Sequence, residues 1–277
     1  MNMCEKTIHK PVFICGTGRS GTTLLAMMLD KHSNFVSGPE IKILQPISQL
    51  YNDFRMTFSN GLNEYNIDQK ILNDSFRDFI SGFFLQRGIN ERIVEHTPLN
   101  ILSIGPLSQI FPDSTFLHMI RDGRDVVCSL TEQNWVDPKT NKPLWFVESK
   151  QNGAKYWMQI ILSARQAVEK HQIYDRYLEI RYEDLIEDPE TVLREIVWFL
   201  GESYEDSLMK YYKEQSFSNN EHGPERKIYK SSLQRWQSEF NDRDKQIVNA
   251  IAGDLLIDLG YEDDNSWSIS QTVPLEK

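Results

Sequence analysis

The chain has 277 residues and a formal net charge of −10, from 40 acidic and 30 basic side chains. That length suits one large α/β domain, and the acidic balance argues against nonspecific nucleic-acid binding, so any anion site must be a local basic focus. Three cysteines, Cys4, Cys15 and Cys128, are too few for a disulfide framework, and no apolar stretch has the length of a signal-peptide core or a membrane span.

The first element is the apolar run Pro11 to Cys15, read as a strand. It feeds Gly16-Thr17-Gly18-Arg19-Ser20-Gly21-Thr22-Thr23-Leu24 and then the helical pattern Leu24 to Leu29. Strand, glycine-rich turn and helix aim several backbone N–H groups and a helix dipole at one point. The glycines let backbone approach an anion closely, and Arg19, Ser20, Thr22 and Thr23 add donors there. The stretch reads as a phosphate cradle. Gly16 and Gly21 have the spacing of a Walker A loop, but Thr22 stands where its lysine belongs, which argues against an ordinary ATPase or kinase. Gly16, Gly18 and Gly21 also match the dinucleotide fingerprint, with Glu40 near the distance of its ribose-binding acid. Arg19 and the Thr22-Thr23 pair suit a compact, highly charged phosphate better.

A short strand over residues 34–37 leads into Ser37-Gly38-Pro39-Glu40-Ile41-Lys42. A strand over 92–95 opens into His96-Thr97-Pro98, followed by a helix from Asn100 to Phe111. A histidine at that helix entrance is either a donor to a bound group or a satisfied structural residue. The strand 115–120 runs into Arg121-Asp122-Gly123-Arg124-Asp125-Val126-Val127-Cys128-Ser129, a second strand end and helix. Arg121 and Ser129 are about two helical turns apart and can face one crevice. A guanidinium fork and a hydroxyl suit a terminal phosphate. Two such modules at strand ends fit the rule that open α/β sheets bind ligands at the carboxyl ends of their strands.

A long helix is predicted from Ser149 to His171, with Trp145, Phe146, Tyr156 and Trp157 near it as core or as the wall of an aromatic acceptor pocket. A strand over 177–181 precedes Tyr182. The polar stretch Ser216 to Pro224 reads as a mobile lid, and Asp242 to Leu259 as an amphipathic helix. Residues 1–9 and 263–277 are expected to be flexible. Alternating strands and helices predict a P-loop-like α/β fold, a mostly parallel sheet flanked by helices, in a single domain over 1–277 with its core at 11–260.

Phe13 to Leu24 resembles the "PRSGTTL" phosphosulfate loop of the PAPS-dependent sulfotransferases, closest to their tyrosylprotein branch, with Gly18 where that branch often has proline. Arg121 to Ser129 is similar to the family's "RDGRDV…S" stretch, which binds the 3′-phosphate of PAPS. His96 stands where the family has the lysine of "K-x-P", Glu40 falls on the glutamate that serves as base in the family's "GEE-T-R" context, and Lys42 falls on its basic position. Leu178 to Leu185 looks like "RYEDL", and Arg235 falls where the branch has a lysine before a tryptophan, in a loop that closes over PAPS.

The resemblance runs from residue 11 to about residue 240. It implies the sulfotransferase fold, PAPS as sulfuryl donor, and a hydroxyl acceptor on a small molecule, glycan, lipid or tyrosine. It assigns Glu40, His96 and Arg19 to catalysis, and Gly18, Arg19, Ser20, Gly21, Thr22, Thr23, Arg121, Ser129, Tyr182 and Arg235 to the cofactor. No metal is expected, since no HExxH, CxxC or EF-hand spacing occurs. The Golgi members of the branch carry a membrane anchor that this sequence does not show, so a cytoplasmic protein is expected; a homodimer is compatible with it. The rival readings are a nucleotide-binding module that kept the cradle without transfer, an atypical kinase and an NAD(P) enzyme.

Overall fold

The computed structural model describes residues 7–85, 91–213 and 232–269. The lid stretch 216–224, Cys4 and the tail beyond 269 lie outside the described residues. The strands are β1 (Val12–Gly16), β2 (Phe35–Ser37), β3 (Arg92–Glu95), β4 (Thr115–Ile120) and β5 (Tyr177–Arg181). The helices are α1 (Thr22–Leu29), α2 (Leu44–Met56), α3 (Ser59–Glu64), α4 (Gln69–Leu85), α5 (Ile104–Ile110), α6 (Gly123–Thr131), α7 (Lys150–His171), α8 (Tyr182–Glu187), α9 (Pro189–Phe199), α10 (Trp236–Glu239) and α11 (Asp242–Asp258).

All five strands are parallel, in the order β2-β3-β1-β4-β5. β1 is central, in register with β4 from Val12 opposite Thr115 to Gly16 opposite Met119. Helices cover both faces, so β1 and β4 are buried along their whole length and read as unbroken apolar runs in the sequence. Side chains alternate between two cores. Phe13, Cys15, Phe116 and Ile120 pack with α2, α4, α5, α7 and α11 on one face. Val12, Ile14, Leu117 and Met119 pack with α1 and α9 on the other. The parallel direction brings the carboxyl ends of β1, β3 and β4 together on one edge of the sheet, where the loop 16–21, His96 and Arg121 begin.

The five expected strands match to within one residue. The expected single helix from Asn100 to Phe111 is two pieces: a 3-10 stretch over Pro98–Ser103, then α5. Pro106 has no N–H to bond a carbonyl one turn back, so the α-helix restarts at Ile104, where the proline falls in its first turn. Both ends of the described chain make contacts with the rest of the molecule. Ile8 is buried and donates its N–H to Ser81 Oγ at 3.2 Å. Residues 265–268 form a 3-10 turn capped by Asp264, and Trp267 packs edge-on against Trp236 at 5.4 Å. Cys15 and Cys128 are buried, and burial pushes both thiols up. No helix among the described residues is long and apolar enough to cross a membrane.

Candidate active site

The loop after β1 has the backbone that its glycines allow. Gly16 has φ +154°, and a Cβ there would lie 2.5 Å from the Met119 carbonyl oxygen. Gly21 has φ +97°, and a Cβ would lie 2.5 Å from the Tyr182 ring. Between them Arg19 holds φ +72°, an unfavourable region for a branched chain, and strain of this kind concentrates at functional turns. Buried Ser20 donates its hydroxyl to the Thr17 carbonyl at 2.8 Å and closes the turn. Gly21 then starts α1 with no side-chain cap. The first-turn amides of α1, with buried Thr22 and half-buried Thr23, lie at the positive end of the helix, where backbone N–H groups favour an anion.

The second module meets the first directly. Arg19 Nε donates to Ser129 Oγ on α6 at 2.9 Å, and Arg121 Nη1 donates to the Arg19 carbonyl at 3.0 Å. The two arginines and Ser129 thus form one cluster at the ends of β1 and β4. Arg121 is buried, its guanidinium lies 4.8 Å over the Tyr182 ring, and Nη2 donates to the Ser232 carbonyl. Its Nε has no hydrogen-bond partner among the described residues. Tyr182 Oη bonds Ser232 Oγ at 3.0 Å. Tyr182 therefore wedges between Gly21, Arg121 and the returning chain at 232.

Residues 121–125 are not the solvated turn that four charges around one glycine can suggest. Asp122 caps α6 by accepting from the Arg124 N–H at 2.9 Å. Arg124 is buried, forms a two-pronged pair with Asp122, bonds Glu262, and lies over the rings of Trp236 at 3.8 Å and Trp267 at 4.7 Å. Asp125 accepts the N–H groups of Gln234 and Trp236 at 2.8 and 3.1 Å. These two side chains dock residues 232–236 beside the anion cluster. Arg235 itself is engaged elsewhere, by Glu132 and Glu239, and no contact joins it to Arg19, Arg121 or Ser129 among the described residues. Both carboxylates raise its already high proton affinity.

At the end of β3, His96 is buried and burial lowers its pKa to about 4, so the ring is neutral at physiological pH. Ser37 Oγ donates its proton to the Val94 carbonyl at 3.1 Å, so its 3.5 Å contact with His96 Nδ1 is a weak bond that the ring must donate. That tautomer leaves the Nε2 lone pair free of a proton. Glu40 lies on the neighbouring loop, 3.6 Å from Lys42 Nζ. Burial raises its carboxyl above the usual range, and Lys42 opposes the shift. Lys42 holds φ +53°, a second strained residue in the site.

Sequence reasoning did not find Glu95. Its carboxylate is 3% exposed and accepts from Thr97 N, Thr97 Oγ1, Asn100 Nδ2 and Ile41 N. A glutamate ending an apolar strand looks like a boundary residue; only the fold supplies its four donors. The aromatic cluster is also more tightly built than its spacing indicates. Tyr156 stacks on Phe146 at 4.2 Å and accepts the Gly18 N–H at 3.4 Å, while a Cβ on Gly18 would come within 3.2 Å of Trp135. A proline in that place would press on the indole and remove the N–H that Tyr156 accepts. Trp145 and Trp135 pack edge-on against Phe146 and remain partly exposed, whereas Trp157 is buried core whose Nε1 bonds the Arg121 carbonyl at 3.0 Å.

The donor set fits an adenosine bisphosphate ester. Uncapped helix amides and a glycine loop suit a 5′ anion, and a buried guanidinium with a free Nε beside Ser129 suits a second anion. A family model described as the sulfotransferase family matches residues 11–206. The chain is 26% identical over 255 residues to a protein-tyrosine sulfotransferase of Drosophila melanogaster, covering 90% of this chain and 49% of that one. It is 26% identical over 262 residues to protein-tyrosine sulfotransferase A of Caenorhabditis elegans, covering 91% and 67%. An uncharacterized protein of Aquifex aeolicus is 26% identical over 246 residues, 82% of this chain and 30% of that one. The chain thus spans half or less of the length of two of these three relatives. Among solved structures, the sulfotransferase domain of the curacin biosynthetic pathway superimposes with a TM-score of 0.60 at 19% identity, covering 90% of this chain and 98% of that one. A mouse sulfotransferase complexed with PAP gives 0.54 at 17% identity, covering 91% and 86%. At these identities the two structures speak for the fold.

Proposed function

This chain belongs to the sulfotransferase family, and from that premise we propose that it transfers the sulfuryl group of PAPS to an acceptor hydroxyl. The observation that carries the reading is the joined cluster, with Arg19 on Ser129 and Arg121 on the Arg19 carbonyl. One bisphosphorylated nucleoside can engage both modules at once.

PAPS brings an activated sulfuryl group on its 5′-phosphate, and transfer moves that group in line between two oxygens while charge gathers on the leaving and peripheral oxygens. The protein's part is then positioning and electrostatic stabilisation. Gly18, Ser20, Gly21, Thr22 and Thr23 hold the 5′ end through loop amides and hydroxyls, and Arg19 neutralises it. Arg121 and Ser129 hold the 3′-phosphate. Tyr182 braces Arg121 from below. Glu40 takes the proton of the acceptor hydroxyl; its raised proton affinity suits a general base better than that of an exposed carboxylate. His96 presents a neutral ring at the end of β3, with Nε2 able to accept a proton.

A tyrosine hydroxyl is the first acceptor to test, because two of the relatives are named protein-tyrosine sulfotransferases. The partly exposed indoles of Trp135 and Trp145 near Gly18 offer a flat apolar surface for such a ring. The experiment is transfer from PAPS to tyrosine peptides, simple phenols, sugars and long-chain alcohols, with calorimetric binding of 3′,5′-ADP, ATP and NADPH alongside. Binding of 3′,5′-ADP with transfer to at least one acceptor class supports the reading. Binding without transfer to any class favours a nucleotide-binding module, and preference for ATP or NADPH overturns the donor assignment. Glu40→Gln should abolish transfer and leave 3′,5′-ADP binding intact. If His96→Ala lowers turnover and Glu40→Gln does not, His96 is the base.

A further inference from the structure

The loop that carries Glu40 has no regular structure from Gly38 to Lys42 and contains a lysine held at φ +53°. Two bonds fasten its far end to β3. Ile41 N–H donates to Glu95 Oε1 at 3.4 Å, and Lys42 N–H donates to Thr97 Oγ1 at 3.4 Å. Thr97 Oγ1 in turn donates to Glu95 Oε1 at 2.6 Å. Both anchors therefore end on one carboxylate oxygen. The other oxygen, Oε2, accepts from Thr97 N at 3.1 Å and from Asn100 Nδ2, which sets the turn directly after His96. Among the described residues Glu95 has no ion-pair partner, although it is 3% exposed. A buried carboxylate without a cation is expensive to keep, and four donors offset that only in part.

We propose that Glu95 is a positioning residue, a buried carboxylate that pins the 38–42 loop, and so Glu40, to the end of β3 at a fixed distance from His96. This rests on the reading of Glu40 as the base. Both anchors of the loop are long and weak, so the loop's placement depends on their common acceptor staying fixed. Glu95 also faces the charge of Glu40, and burial together with that charge keeps its proton affinity high. The neighbouring titratable groups are Cys15 on β1, Glu40 and Lys42 on the loop, and His96 directly after β3.

Glu95→Gln tests this because it breaks one side of the arrangement. The amide oxygen can take the place of Oε2 and keep Thr97 N–H and Asn100. The amide NH2 then faces Thr97 Oγ1, which can turn to accept, and Ile41 N–H, which loses its acceptor. Amide exchange at Ile41 and Lys42 should quicken by about tenfold or more, a loss on the scale of one hydrogen bond to a charged group. With PAPS and the best acceptor, kcat should fall by about 10- to 100-fold, as expected for a misplaced base, while the Kd for 3′,5′-ADP stays within about twofold. Thr97→Val, which removes the acceptor of Lys42 N–H, should quicken exchange at Lys42 and lower kcat in the same way, and Thr97→Ser should behave like the wild type, which covers the case in which the glutamine variant folds poorly. Unchanged exchange at Ile41 in Glu95→Gln together with unchanged exchange at Lys42 in Thr97→Val overturns the pinning. A fall in kcat matched by a loss of 3′,5′-ADP binding overturns the assignment to the base loop and makes Glu95 a general support of the site. If the wild type transfers no sulfuryl group, the exchange measurement still decides the pinning, and it is the function reading that fails.

Discussion

Arg121 joins three parts of the chain through one guanidinium: the Arg19 carbonyl, the Ser232 carbonyl and the face of Tyr182. Its Nε has no hydrogen-bond partner among the described residues, and under the proposed function it is the donor offered to the 3′-phosphate. Arg121→Ala should weaken 3′,5′-ADP binding by about 30- to 100-fold, the loss of a charge-assisted bond, and should leave 5′-AMP binding nearly unchanged, since Arg121 is assigned to the 3′-phosphate. Calorimetry with the two nucleotides checks both halves; equal weakening for both removes Arg121 from the 3′ site. His118 supplies a pH prediction. It is fully buried in β4 against Tyr177, and burial lowers its pKa to about 4. In the unfolded chain it titrates near 6.5. Above pH 6.5 it is neutral in both states and its contribution to stability is whole. As the pH falls towards 4 the unfolded chain binds a proton that the folded chain refuses, and stability declines. Carboxylates raised by burial, such as Glu40 and Glu183, act in the opposite direction and are common to both proteins compared. The advantage of wild type over His118→Gln should therefore shrink by about 2 kcal/mol between pH 7.5 and pH 5, read from denaturant unfolding. A constant difference would mean that His118 takes up its proton in the fold as readily as in the unfolded chain. At this scale the sequence placed Arg19 in the turn after one strand and Arg121 and Ser129 at the end of another strand and on its helix, and the fold brings the two stretches into contact. The sequence could not show that Arg235 would be held by Glu132, or that Glu95 would be buried, because both depend on partners brought in by packing.

The loop between β1 and α1 works because two of its backbone positions exclude a side chain for different reasons. Gly16 is blocked by the main chain of β4, which cannot yield, and Gly21 by the ring of Tyr182. Gly21→Ala adds left-handed strain to a clash and should lower stability by about 1–3 kcal/mol while displacing Tyr182 from Arg121. Gly82→Ala is the control: it lies in α4, where a Cβ meets nothing within 4 Å, and should raise stability by about 0.5–1 kcal/mol through helix propensity. Thermal unfolding of the two variants separates them, and destabilisation of equal size in both would remove the special role of the loop. The strands were legible because parallel strands covered on both faces are continuous apolar runs. The helix after His96 was less so. Its apolar spacing continues across Pro106, and only the missing N–H decides that a 3-10 turn comes first.

Across the whole molecule, whose formal net charge is −10, the carboxyl ends of β1 and β4 bring Arg19 and Arg121 together. The C-terminal stretch docks beside them: Asp125 holds the amides of 234 and 236, and Arg124 is sandwiched with Trp236 and Trp267. Trp267→Ala should lower the melting temperature and also weaken 3′,5′-ADP binding several-fold, because the segment that carries the Ser232 carbonyl loses its brace. A lower melting temperature with unchanged affinity would confine Trp267 to stability. The fold and both anion modules were legible in the sequence, since each is a local strand–turn–helix pattern. The docking of 232–236 onto α6 was not, because its bonds join residues more than a hundred positions apart. The most direct test of the central claim is a crystal structure with 3′,5′-ADP. The account predicts the 5′-phosphate over the loop amides from Gly18 to Thr23, and the 3′-phosphate of the same molecule on Arg121 and Ser129. A nucleotide that engages one module alone, or that lies away from the carboxyl ends of β1 and β4, would contradict it.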